Sequence, residues 1–356
     1  MAPARPGPVL HYTGAADDAG GIVSVVRALA GAGRFECILG LSAGGVQRRT
    51  PRLPVLEWPP LAAEKIGLRT WWRAGVVARA VRGWLAEDPA RIFHGHSRAG
   101  LLVALRLRAR GESRVVASVH CYGRQRWFYR AAARRLGSRL FWLSPAMRAY
   151  YGLPDRGWDQ CIPGGAPRAA VRRGPAAPGC LRLAGVGMLV RWKRWDLVLR
   201  ALARLPAPLC SQVTFTHIGG GDDALADELR RTAHDLGVAD RARFLGPRPS
   251  PDDLWRDADV LVVASDREPF SMAMLEALAA GVPVLAADSG GAVDVIRPEE
   301  NGWLFRSGDT ADLAARIASL AARPERPASG PDLPARFTAE GAAEAWSRVY
   351  RAMVGP

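Results

Sequence analysis

Glu268 and Glu276 stand eight positions apart in the stretch EPFSMAMLEALAAGVPVLAADSGG, residues 268–291. Glu268 lies two residues past Asp266, which follows the apolar run LVVAS, so it belongs at the carboxyl end of a strand. Ser271 is a ready N-cap for a helix over Met272–Ala280, and Gly281 is placed to end that helix. Glu276 falls within it. Backbone N–H groups around Ser271, Met272 and Ala273 would form an anion site at the helix N-terminus. Two carboxylates able to accept hydrogen bonds from sugar hydroxyls would then flank a phosphate-sized space. The same spacing also fits an ordinary buried αβ unit with surface glutamates, and spacing alone does not separate the two.

Other residues invite a chemical reading. Of the 49 basic residues only two are lysines, Lys65 and Lys193. In a chain that uses Arg so freely, a retained Lys marks a place where a compact ammonium is needed. His120 closes the apolar run VVASVH. The pair His94-Gly-His96 has the look of metal ligands, but no third His, Cys or carboxylate follows at ligand spacing, so no metal is expected. Asp257-Ala-Asp259 leads into a strand at its amino end and reads as a helix-terminal surface pair. The five cysteines are scattered without a CxxC, which fits reduced thiols better than a disulfide or zinc framework.

These groups are set out on a repeating framework. Short apolar runs at Val9–Tyr12, Cys37–Leu41, Ile92–Phe93, Val115–Val119 and Leu140–Leu143 alternate with helical patterns such as Gly21–Leu29 and Trp71–Leu85. The rhythm resumes at Leu181–Val186, Val213–Ile218, Ala242–Leu245, Val260–Ala264 and Val282–Ala286. Short apolar runs bounded by Gly, Pro or Asp are expected of parallel strands buried on both faces. The α/β chain therefore divides into two Rossmann-like domains, 1–165 and 178–335, each around a parallel sheet, with a cleft between them. The Pro-, Gly- and Ala-rich stretch 162–180 is the linker, and residues 336–356 carry a closing helix.

The 268–291 stretch resembles the E-x7-E region of the family 4 retaining glycosyltransferases, with Ser271 and Leu278 where that family commonly has Gly and Met. The segment AGVGMLVRWKRWDLVLRAL (184–202) is similar to the family's VGRLxxxKGxDxLxxA, HIGGGDD (217–223) to its glycine turn, and SGGAVDVIRPEENGWLF (289–305) to the continuation. The resemblance implies the GT-B fold, with the closing helix crossing back to the first domain. It implies sugar transfer from a nucleotide-diphospho-sugar to a hydroxyl acceptor with retained configuration, a hexosyltransferase activity that requires no metal or other cofactor. Glu268 would contact the donor sugar, Glu276 the ribose and Lys193 the diphosphate. Gly20 and Gly21, Ser271 and Met272 would offer backbone N–H groups, and Gly219 would allow close approach. His120 matches the first-domain active-site histidine, and His96 lies on the acceptor side. The family's Arg in the Lys193 segment is Met188 here. Arg191 or Arg194 is a candidate to supply the missing charge, and the departure otherwise leaves an altered donor site or reduced activity. The Gly290–Gly291 pair is expected to let backbone approach a ligand.

The charge distribution bears on the acceptor. Residues 1–170 hold 26 basic and 10 acidic residues, a net +16, whereas 171–356 hold 23 and 24, a net −1. Arg124, Arg126 and four further arginines to Arg139 accompany Trp127, Phe128 and Tyr129, and Trp71, Trp72 and Trp84 stand among Arg69, Arg73, Arg79 and Arg82. A lipid-linked or saccharide acceptor and an anionic membrane surface are the expected partners. Core-facing aromatics beneath a solvated Arg face would give the same pattern. Nucleic acid has no recognition motif behind it. The expected location is the cytoplasm, at the inner face of the cell membrane, since the N-terminus lacks the apolar core of a signal peptide and no run of 18 apolar residues occurs. The expected role is cell-envelope, exopolysaccharide or lipopolysaccharide assembly. Two rival readings are another GT-B reaction, such as a nucleotide-sugar epimerase, and a non-catalytic partner subunit, the latter motivated by Met188.

Overall fold

The computed structural model describes residues 6–14, 20–43, 53–61, 66–169, 171, 174, 179–248, 250–323 and 333–354. Lys65 lies outside them. Within these residues the apolar runs become strands and the chain forms two compact units, 1–167 together with 334–356, and 168–333.

In the first unit β1 (Val9–Tyr12), β2 (Cys37–Ser42), β3 (Val55–Trp58), β4 (Ile92–Gly95), β5 (Val115–Val119) and β6 (Leu140–Trp142) form one sheet. Its order is β3-β2-β1-β4-β5-β6, and every neighbouring pair is parallel. β1, β4, β5 and β6 are buried along their whole length, as parallel strands covered by helices on both faces must be. Crossover helices at Gly21–Gly31, Leu68–Ala86, Ser97–Arg108 and Arg126–Leu136 join them. The closing helix, Ala339–Val354, belongs to this unit. Its buried Trp346 and Tyr350 pack edge-on against Phe141 and Phe35, with ring centroids 4.8 and 4.9 Å apart. Its start is pinned by Ala166, whose N–H donates to Phe337 O and whose carbonyl accepts from Ala339 N–H, at 2.8 and 2.7 Å.

The second unit repeats the plan with β7 (Leu181–Val186), β8 (Val213–Ile218), β9 (Ala242–Phe244), β10 (Val260–Val263), β11 (Val284–Ala287) and β12 (Gly302–Phe305). Its order, β12-β11-β10-β7-β8-β9, is that of the first sheet strand for strand, again all parallel. Leu197, Val198, Phe215, Val262, Phe305 and Leu313 lie in its core. Neither β3 nor β12, the edge strand at one side of each sheet, is among the runs expected from sequence. Asp259 also departs from expectation. It is fully buried rather than a surface residue, and its carboxylate accepts from the Arg182 backbone N–H at 2.8 Å and from Arg182 Nε at 3.2 Å. It ties the amino ends of β7 and β10 together, away from any strand end where ligands bind. No helix among the described residues is long and apolar enough to cross a membrane.

Candidate functional site

In an open parallel sheet of this order, the loops leaving the two central strands run to opposite sides and open a crevice at the strands' carboxyl ends. In the second unit those strands are β7 and β10. The loop after β7 carries Gly187 to Arg194, and the loop after β10 carries Ser265 to Ser271. Lys193 Nζ meets Glu268 Oε2 at 2.5 Å, with only 13% of one side chain and 9% of the other exposed. Ser265 Oγ donates to the same oxygen at 3.1 Å and is steadied by Ser289 Oγ, which donates to its carbonyl at 3.0 Å. Arg194 locks the two loops together. Its Nη1 donates to Asp266 Oδ1 at 2.8 Å, while Asp266 N–H donates to Trp192 O at 3.1 Å. Arg194 holds a left-handed backbone, φ 56°, a conformation that costs a non-glycine residue about 1–2 kcal/mol.

The glycines here serve the chain itself. Gly290 has φ +59°, and a Cβ on it would lie 1.8 Å from Glu268 O. Gly291 N–H donates to that same carbonyl at 3.2 Å. The pair expected to admit a ligand thus admits the Glu268 backbone and fixes where the carboxylate starts. Gly219, expected to line the donor site, has an internal reason to be glycine: a Cβ there would fall 1.8 Å from Gly187 O. That carbonyl also accepts from His217 Nε2 at 3.1 Å. Burial, with Lys193 adding, pushes His217 down to about 4, so its ring is neutral and acts as a donor beneath the Lys193 loop.

Ser271 caps the helix Met272–Ala279, its side chain accepting from Met274 N–H at 3.2 Å. Met272 opens the first turn. Glu276 is half-buried on this helix, and burial, with Asp252 adding, pushes its carboxyl above the usual range. Arg191 does not join Lys193 and Glu268. Its exposed guanidinium forms two bonds to Glu228, at 3.1 and 2.8 Å. Arg194 is likewise committed to Asp196 and Asp266. Met188 beside them has a half-exposed side chain, and its carbonyl accepts from Trp195 Nε1. A cavity of about 400 Å³ lined by Arg191, Arg194, Asp196, Glu228 and Asp266 adjoins this loop, but neither Lys193 nor Glu268 lines it.

In the first unit the order reverses between β1 and β4, and the residues there are histidines. His11 on β1 lies level with His94 on β4. His11 Nδ1 is 2.9 Å from His96 Nε2, and His96 Nδ1 is 2.9 Å from His120 Nε2. His94 stacks on His96 with centroids 3.9 Å apart, and its two nitrogens are bonded to Tyr350 Oη at 2.6 Å and Ser118 Oγ at 2.7 Å. The ligand atoms of His11, His94 and His96 cluster tightly enough for a cation. The third histidine comes from a strand more than 80 residues upstream, which spacing along the chain does not reveal. Hydrogen bonds nevertheless occupy both nitrogens of His94 and of His96, so a cation would have to break them. His96 is 1% exposed and lies beneath His120 rather than on an acceptor surface. His120 is half-buried, and burial brings it down to about 4.

Gly20 has φ +97° and caps the helix Gly21–Gly31. At Gly21 neither a left-handed φ nor any neighbour within 4 Å demands glycine. Arg124 and Arg126 are both exposed, the latter with its guanidinium 4.1 Å above the Tyr150 ring centroid. Phe128 and Tyr129 face the core, whereas Trp127 is exposed. On the helix Leu68–Ala86, Leu68, Trp72 and Val76 form an exposed stripe four residues apart.

Comparison with known proteins adds to this geometry. Residues 181–336 match the family described as Glycosyl transferases group 1. The chain is 30% identical over 271 residues to D-inositol 3-phosphate glycosyltransferase of Thermobispora bispora, spanning 72% of this chain and 62% of that protein. It is 31% identical over 266 residues to the protein of that name from Nocardia farcinica, spanning 70% and 57%. The match therefore spans about six-tenths of the length of these relatives. Among solved structures, sucrose-phosphate synthase from Thermosynechococcus elongatus superposes with TM-score 0.76 at 21% identity, covering 97% of this chain and 98% of that one. Anabaena HepE in complex with UDP and glucose does so with TM-score 0.71 at 19% identity, covering 98% and 97%. The fold is thus of the GT-B type.

Proposed function

We propose that the chain is a glycosyltransferase, on the premise that residues 181–336 belong to the glycosyl transferases group 1 family. The donor is a nucleotide-diphospho-sugar and the reaction is hexosyl transfer to a hydroxyl with retention. The observation that carries this reading is the Lys193–Glu268 pair at the point where the second sheet reverses its strand order. The two groups neutralise each other across 2.5 Å, and each has a better partner in a donor. Sugar hydroxyls donate to the carboxylate, while the diphosphate accepts from the ammonium and gains charge as its bond to the sugar breaks. The leaving diphosphate takes the acceptor's proton on the face of attack. Backbone N–H groups near Ser271 and Met272 share the diphosphate charge, and Glu276 holds the ribose. With Lys193 and these N–H groups in place, no metal is called for. Support for the donor class comes from the solved neighbour that holds UDP and glucose.

The acceptor reading rests on charge. A first half of net +16 suits a lipid-linked or phosphate-bearing acceptor and a role in envelope or exopolysaccharide assembly. The stripe Leu68, Trp72 and Val76 among Arg69, Arg73 and Arg79, with Trp127 beside Arg124 and Arg126, suits the inner, anionic face of the cell membrane. A panel of UDP-, GDP- and ADP-sugars scored by thermal shift tests the donor assignment, since a true donor raises Tm and Lys193→Ala abolishes the rise. No shift with any of them overturns it. A second reading, a donor-binding partner subunit without turnover, is favoured by Met188 together with the commitment of Arg191 and Arg194 to carboxylates. Donor-induced stabilisation without transfer to any of a broad acceptor panel would select it.

A further inference from the structure

The first unit contains a second arrangement, one that acts on His120 from beneath. Three imidazoles lie in line, with His11 and His96 fully buried and His120 half-buried, linked by two hydrogen bonds of 2.9 Å each. A neutral imidazole has one N–H and one bare nitrogen, so the two bonds must run in the same direction. If they run inward, His120 Nε2–H donates to His96 Nδ1, His96 Nε2–H donates to His11 Nδ1, and His11 carries its hydrogen on Nε2. That nitrogen is buried and has no hydrogen-bond partner among the described residues. An orphaned N–H there would leave the desolvation of a buried donor uncompensated. If the bonds run outward, His11 Nε2 is merely a bare acceptor, and the buried N–H groups of His11 and His96 both donate along the row. Orphaned buried donors are rarer than under-used acceptors. Burial also holds all three rings neutral, and His11 is brought down to about 3.

We propose that His11 and His96 are positioning residues that hold His120 in its Nδ1–H tautomer, so that it presents a hydrogen-bond donor rather than a base at the carboxyl end of β5. In water the neutral imidazole of histidine favours Nε2–H, so the row imposes the less common form. His94 does not break the row, because its two nitrogens are taken by Tyr350 and Ser118, whose hydroxyls can rotate to suit either tautomer. The role of the donor rests on the proposed glycosyl transfer; the tautomer does not.

Long-range ¹H–¹⁵N correlation on the ¹⁵N-labelled full chain reads the tautomer directly. His11, His96 and His120 should all show the Nδ1–H pattern. In His96→Phe, His120 should shift to the Nε2–H form. In His96→Gln the amide can accept from His11 and donate to His120, and should restore the Nδ1–H form. If transfer is then measured with a nucleotide-sugar donor, kcat should fall about tenfold or more in His96→Phe, as loss of an aligned donor does, and return to within about threefold of the parent in His96→Gln. Nε2–H at His120 in the parent chain, or an unchanged tautomer in His96→Phe, overturns the proposal. Should the parent chain transfer no sugar, the glycosyltransferase reading fails while the tautomer result stands on its own.

Discussion

Replacing Lys193 by Met removes the ammonium and keeps most of the stem that lies across Gly187. Among the described residues Glu268 then keeps only Ser265 against its Oε2, with 9% of its side chain in reach of water. Stranding one partner of a buried pair costs roughly 3–5 kcal/mol. Both groups here retain some solvent contact, so the lower end, about 3 kcal/mol, is expected. For a unit of this size that is roughly 6–12 °C in Tm. Glu268→Gln strands the ammonium instead and should cost a similar amount. The double variant Lys193→Met/Glu268→Gln strands neither charge, so it should be more stable than either single variant, its loss falling short of the sum of the single losses by more than about 3 kcal/mol. Urea titrations of the four proteins give that coupling. Turnover behaves differently: every variant lacking Lys193 should lose 10²-fold or more in kcat, the order seen when a transition-state donor is removed, because the double variant recovers stability without recovering the charge. Additive losses, within about 0.5 kcal/mol, would show that the pair is not formed in solution. A coupled pair with turnover unchanged in Lys193→Met would make it purely structural and sink the assignment.

Other perturbations are simpler. Gly290→Ala puts a methyl 1.8 Å from Glu268 O at φ +59° and should abolish donor-induced thermal stabilisation, leaving at best a protein with a lowered Tm. Glu276 has a carboxyl pKa raised by burial, first of all, and by Asp252 above its ordinary 4.5. The folded state therefore binds its proton more readily than the unfolded state, and stability is lost as pH rises through the raised value. Glu276→Gln should thus be more stable than the parent near neutral pH, with the gain vanishing below about pH 4.5, while donor affinity falls; denaturant midpoints across pH check the sign. Trp72→Ser should weaken flotation with vesicles rich in anionic lipid, and equal flotation of parent and variant with those vesicles would remove the membrane reading. Tyr350→Phe deletes the hydroxyl bonded to His94 and should cost about 1 kcal/mol of stability in the first unit, measured by denaturant unfolding.

The parallel strands of the core were legible because burial on both faces leaves them uniformly apolar, as in VVASV and VLVV. Their edge partners were not. β3 is only half-buried and includes Glu57, and β12 begins at a glycine after a turn, because an edge strand pairs on one side and owes less to the core. Lys193 and Glu268 could be singled out since each is chemically conspicuous where it stands. His11 could not be found by spacing. Its signal was a polar ring inside the otherwise apolar VLHY, one of three strands in the first unit with a histidine at or near its end, and only the strand order shows that His11 and His94 are neighbours. The arginines beside Met188 illustrate the opposite case. Their charge is plain in the sequence, but of the carboxylates that take it only Asp196 is near in the chain, while Glu228 and Asp266 lie 37 and 72 residues away.

The assignment of the closing helix to the first unit has a consequence for the order in which the molecule is completed. Residues 168–333 are continuous and can fold as soon as they leave the ribosome. The first unit emerges earlier but lacks Trp346 and Tyr350 until the last stretch of chain appears. Until then Phe35, Phe141 and His94, the groups that these two residues cover, face water. The half of the protein that is made first is therefore finished last. Its exposed aromatic surface during that interval is where a nascent chain of this design most needs protection from aggregation.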